Sequence, residues 1–123
     1  MLFRSQGLAG KVPVSGQDAE QAALNRVALG TQSLTVWKDA RELGKAAGEA
    51  ALALCGNPDT AAISGASAFT TPGGNSISSI FLAPLAVTQD NLNAVLDAGW
   101  TDSETLCQGV TAGSVAEIGR AHV

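Results

Sequence analysis

Two residues of opposite charge stand out in the first third of the chain. Asp18 follows Ser15-Gly16-Gln17 and opens a helical pattern, and Lys38 closes the run Thr35-Val36-Trp37-Lys38 twenty residues later. A carboxylate and an ammonium facing one crevice would present acceptors and donors together, and each would offset the other's charge. Both have ordinary alternatives. Asp18 can serve only to cap a helix, and Lys38 can be an exposed charge at a strand end.

The elements that would position the pair lie in Lys11–Lys38. Val12 and Val14 suggest a short buried strand over Lys11–Ser15, although Pro13 cannot donate to a ladder. Ser15-Gly16-Gln17-Asp18 is where that strand is expected to end. A helix from about Asp18 to Leu29 follows, with Ala19, Ala22, Ala23 and Val27 at helical spacing and Gly30 closing it. Asp18 and Glu20 would sit at its positive end, and Arg26 on its solvated outer face. Leu34, Val36 and Lys38 then alternate with Thr35 and Trp37 in a second strand. A strand–helix–strand unit of this length makes two parallel strands joined by a right-handed crossover. The rim after the first strand is where open α/β sheets bind ligands. Trp37 points away from Lys38 by alternation and is read as core or hinge packing rather than as part of the site.

Composition narrows the function classes. The 123 residues carry 7 basic and 11 acidic side chains, a net charge of −4. An acidic chain without a basic cluster is a poor nucleic-acid binder, because phosphate neutralisation dominates that affinity. No apolar run approaches the roughly 18–20 residues that span a bilayer. Cys55 and Cys107 lack the short paired spacing of a zinc site; they read as small apolar fillers near helix ends, with a disulfide as the alternative.

Both ends look foreign to the rest. Leu2-Phe3-Arg4-Ser5 can be encoded CTC TTC CGA TCT, and the reverse complement of that string can be read inside codons for Glu117-Ile118-Gly119-Arg120. Residues 1–5 and 117–123 are therefore expected to be translated sequencing adapter, and the chain a fragment of a longer one. The single histidine, His122, falls in the second stretch. Without it no Ser–His or Cys–His pair remains, and Asp18 and Glu20, two apart, would diverge on a helix. The expectation is no catalysis, no metal and no cofactor.

Beyond Lys38, Asp39-Ala40-Arg41-Glu42 has capping-box form. Ala40, Leu43, Ala46, Ala47, Ala50, Ala51 and Leu54 form one apolar stripe behind it, and Gly56 then Pro58 stops the helix. Asn57–Ser79 is aperiodic, with a hairpin turn suggested at Pro72-Gly73-Gly74-Asn75. Ile80–Val87 reads as an apolar strand interrupted by Pro84. Thr88 caps a helix carrying Leu92, Val95 and Leu96, stopped by Gly99, and Thr101-Asp102-Ser103-Glu104 reads as a second capping box for a helix ending near Cys107.

SGQDAE followed by GTQSLTVWKDARELG closely resembles the sugar-binding proteins of bacterial ABC importers, in the branch that takes xylose and related monosaccharides. The resemblance continues through FLAPLAVTQDNLNAVLDAGW and weakens between. It implies an α/β fold, a partial two-lobed periplasmic-binding-protein (type I) fold with a parallel sheet and flanking helices. Residues 6–38 would form a strand–helix–strand unit of the C-terminal lobe. Residues 39–79 would pack on an N-terminal lobe missing from this chain, and residues 80–116 would return. Asp18 and Lys38 match the family's sugar-binding aspartate and lysine. The implied partners are a monosaccharide, xylose first, an ABC permease in the membrane, and a chemoreceptor in some members. The implied location is the periplasm, or a lipid anchor outside a Gram-positive cell. The alternative is the effector domain of a sugar-responsive repressor, which shares the architecture.

Overall fold

In chain order the elements are α1 (Leu2–Ser5), β1 (Ser15–Gln17), α2 (Gln21–Ala28), β2 (Leu34–Trp37), α3 (Ala40–Gly56), β3 (Ser67–Thr70), β4 (Ser76–Ser79), β5 (Leu85–Val87), α4 (Asn93–Asp97) and α5 (Ser103–Leu106), with 3-10 turns at Thr60–Ala62 and Gln89–Asn91. The computed structural model describes residues 2–111 together with 113 and 115; Glu117–Val123, with His122, lies outside the described residues. Two compact units divide the chain, one of residues 1–37 with 84–123 and one of residues 38–83.

The first unit is a three-stranded sheet in the order β1-β2-β5 with helices on it. β1 and β2 run parallel, with Ser15 opposite Leu34 and Gln17 opposite Val36. β5 runs antiparallel to β2, with Trp37 opposite Leu85, so the sheet is mixed. Leu24, Val27, Val87, Leu92, Val95 and Leu106 are fully or almost fully buried and form one cluster with Ala19 and Ala28. Each such side chain contributes about 1.5–3 kcal/mol by leaving water.

Several boundaries differ from the sequence expectation. The first strand begins at Ser15, where it was expected to end, and it is exposed or half-buried rather than buried. Lys11 and Val12 instead donate their N–H groups to the Leu8 carbonyl in a turn, and Pro13 has no N–H to give. α2 begins at Gln21, not Asp18, because Asp18 and Ala19 hold φ of 70° and 47°, outside helical space. No acidic residue lies in its first turn. Ala22 is exposed, and the buried face is Ala23, Leu24, Val27 and Ala28. Arg26 is half-buried, with Nε donating to Gln32 Oε1 at 3.0 Å. The Ile80–Val87 strand is cut to Leu85–Val87, since Pro84 lacks a donor. The helix expected behind Thr88 is two pieces, a capped 3-10 turn and α4. Thr101 does not cap α5; Asp102 does, accepting from the Thr105 N–H at 2.8 Å.

In the second unit, α3 runs for 17 residues behind Asp39, whose carboxylate accepts from the Arg41 N–H at 2.9 Å and pairs with its guanidinium. That guanidinium holds the Asp39 carboxyl below its ordinary value. The apolar stripe is present, but no residue of α3 is buried, and Leu52 is 76% exposed. β3 and β4 pair antiparallel as a hairpin around Thr71–Asn75, where the turn was expected. Phe69 and Phe81 meet edge to face at 5.4 Å. None of residues 38–83 is buried.

Cys55 is exposed and Cys107 half-buried, and both are free thiols. Cys107 packs on the core as a filler would; Cys55 does not fill anything.

Candidate functional site

Parallel pairing in register brings β1 and β2 to an end at the same edge of the sheet. Asp18 is the residue after β1, and Lys38 is the residue after Trp37, the last of β2. Both side chains are exposed. The Asp18 N–H extends the ladder by one step, donating to the Val36 carbonyl at 2.7 Å. The residue at the cap position of α2 is Glu20, whose side chain makes no capping hydrogen bond. Asp18 lies two residues before it.

Asp18 and Ala19 are the two non-glycine residues of positive φ among those described. A left-handed conformation costs an L-residue roughly 1–2 kcal/mol. Aspartate tolerates it through its short polar side chain, whereas alanine has no such compensation. Ala19 is nevertheless fully buried, and its backbone is tied on both sides. Its N–H donates to Thr35 Oγ1 at 3.2 Å, and its carbonyl accepts from Trp100 Nε1 at 2.9 Å. Trp100 in turn lies against Trp37, ring centroids 5.7 Å apart at 55°.

Gly16, inside β1, has a separate steric reason. A Cβ there would collide with the Gln32 side-chain amide. Gln32 is buried, donating to the Leu34 carbonyl at 3.0 Å while accepting from Arg26. The run Ser15-Gly16-Gln17-Asp18 therefore packs closely before it turns.

The contact of Trp100 with Ala19 was not readable from sequence. Gly99 signalled a helix stop, but nothing local in Gly99-Trp100-Thr101 points to a residue 81 positions earlier. Among the described residues, no three His, Cys, Asp or Glu gather as a metal site. No helix among them is long and apolar enough to cross a membrane.

No protein-family model matches the chain. Individual proteins do. A D-xylose-binding periplasmic protein of Haemophilus influenzae is 36% identical over 103 residues, covering 83% of this chain and 30% of that protein. A D-xylose-binding periplasmic protein of Escherichia coli is 50% identical over 50 residues, covering 41% of this chain and 15% of that protein. The crystal structure of a carbohydrate transporter solute-binding protein from Chloroflexus aurantiacus, in complex with D-glucose, superposes with a TM-score of 0.62 at 35% identity over 75% of this chain.

Over most of its length the chain is similar to part of a periplasmic sugar-binding protein. It spans less than a third of the length of the relatives it matches, and 26% of the Chloroflexus chain. The segment itself is α/β, with a parallel strand pair and helices on it.

Proposed function

We propose that this segment belongs to a protein that captures a monosaccharide, xylose first, and delivers it to an ABC permease of the membrane. Asp18 accepts hydrogen bonds from two adjacent sugar hydroxyls, and Lys38 donates to a hydroxyl or the ring oxygen. Residues 6–38 and 80–116 serve one lobe and residues 39–79 the other, in the periplasm or on the outer cell surface. Sugar stabilises a closed form that the permease recognises.

The observation that carries this reading is the Asp18–Ala19 turn. An exposed carboxylate stands on a left-handed backbone, at the sheet edge where both parallel strands end. Backbone held in a rarely populated region at such an edge is a mark of ligand sites. Two relatives named for D-xylose support xylose as the first choice, and a glucose-bound structural neighbour supports an aldose more broadly. All three carry binding or transport names, which supports capture without catalysis.

A thermal-shift and calorimetric panel of aldoses against the full-length gene product tests it. A ligand at about 100 times its Kd stabilises the folded form by about 2.7 kcal/mol, so xylose is expected to raise Tm by several degrees. A panel in which no aldose shifts Tm or releases heat overturns the reading.

A further inference from the structure

We propose that Trp100 is a positioning residue for the ligand carboxylate, acting through the Ala19 carbonyl to hold Asp18 in its left-handed turn. The inference rests on Asp18 being a sugar ligand and goes beyond it in naming what aims the carboxylate.

The turn does not hold itself. Two successive L-residues at φ 70° and 47° would relax to ordinary backbone unless their neighbours over-determine them. Three hydrogen bonds do so. The Asp18 N–H is held by Val36, the Ala19 N–H by Thr35, and the Ala19 carbonyl by Trp100. The first two come from β2, the strand beside the turn, so they fix its distance from the sheet. The third comes from the segment after α4, on the far side of the unit's core in sequence, and it fixes the rotation of the Ala19 peptide. The Ala19 carbonyl belongs to the peptide that follows Ala19, so the bond fixes the ψ of Ala19 and acts on the Asp18 Cα through the intervening peptide, whose N–H Thr35 holds.

Trp100 is well placed to be rigid. Its ring packs on Trp37 and on the buried cluster. Its backbone N–H donates to the Val95 carbonyl at 2.9 Å, closing the end of α4. Gly99 before it has φ of 61°, a conformation glycine takes without a Cβ penalty. The indole is therefore delivered to Ala19 by a capped helix end rather than by a loose loop. A planar two-torsion side chain loses little freedom in making the bond, and its N–H is the only donor it has.

A double-mutant cycle in the full-length protein decides the matter, with xylose affinity measured by calorimetry. Trp100→Phe keeps a ring in the stack and removes the N–H. It is expected to weaken xylose binding roughly 2- to 12-fold, and to weaken it no further when Asp18 is already alanine. Thr35→Val, which unties the Ala19 N–H and leaves both indoles, is expected to show the same pattern. Leu106→Ala, a core change on α5, is expected to lower stability while leaving affinity unchanged. Equal losses from Trp100→Phe with and without Asp18, or unchanged affinity in Trp100→Phe, overturn the positioning role and leave Asp18 as a ligand. An Asp18→Ala protein that binds xylose normally overturns the ligand reading itself, and with it the reason to position that side chain.

Discussion

The backbone N–H of Asp18 donates to the Val36 carbonyl at 2.7 Å, one step beyond the last paired residues of β1 and β2. The carboxylate is thus carried on a backbone that is still part of the sheet, although its φ of 70° already departs from it. Such a side chain is aimed by the sheet and presented by the turn.

Replacing Asp18 by alanine should therefore remove ligand contacts without loosening the ladder. Hydrogen bonds to a charged group contribute about 1.5–3 kcal/mol, so xylose affinity of the full-length protein is expected to fall roughly 10- to 150-fold. Calorimetric titration checks it, with a modest fall in the urea midpoint, about 1 kcal/mol, expected from alanine on the left-handed backbone.

The same φ makes a second substitution informative. Asp18→Asn keeps a side chain that tolerates the left-handed region, whereas Asp18→Val brings a β-branched one that does not. The valine protein is expected to be less stable than the asparagine protein by about 1–3 kcal/mol. Equal urea midpoints would mean the turn relaxes.

Leu24 is fully buried in the first unit's core, on the face of α2 that meets α5. Leu24→Ala is expected to cost about 2–5 kcal/mol, read as a lower denaturant midpoint at unchanged slope.

Residues 38–83 contain no buried residue, so little apolar area opposes local opening there. In limited proteolysis of the 123-residue chain, the first cuts are expected within 40–83 rather than within 15–37. Mass spectrometry of the earliest fragments checks the order.

Two groups give pH and reactivity signatures. The Thr105 backbone N–H and then its hydroxyl hold the Asp102 carboxyl below its ordinary value of 3.8. A depressed folded pKa contributes stability that is present above pH 3.8 and is lost as pH falls through the lower folded value. Asp102→Ala is expected to flatten the acid limb of stability against pH in that window. Burial pushes the Cys107 thiol up, while Cys55 is exposed. Since the thiolate is the nucleophile, a disulfide-exchange reagent at pH 8 is expected to label Cys55 roughly tenfold faster or more. A chain with no titratable thiol would mean the two are joined.

Local signals carried much of this protein. Periodicity in Ala23 and Val27 marked part of α2's buried face but missed Leu24 and wrongly included Ala22, and Gly73-Gly74 marked the hairpin turn, because helix stripes and tight turns are dictated within a few residues. The parallel pairing of the strands before Asp18 and Lys38 was also legible, since a strand–helix–strand unit of that length makes a single crossover. What sequence could not yield was the start of α2 at Gln21, the cap at Asp102 rather than Thr101, and the indole of Trp100 on Ala19. Each depends on which of several equivalent local partners wins, and that contest is decided by burial. Ala19 is forced left-handed only because Thr35 and Trp100, 16 residues after it and 81 residues after it, take its N–H and its carbonyl. A contact of that range leaves no period, spacing or composition behind in the chain.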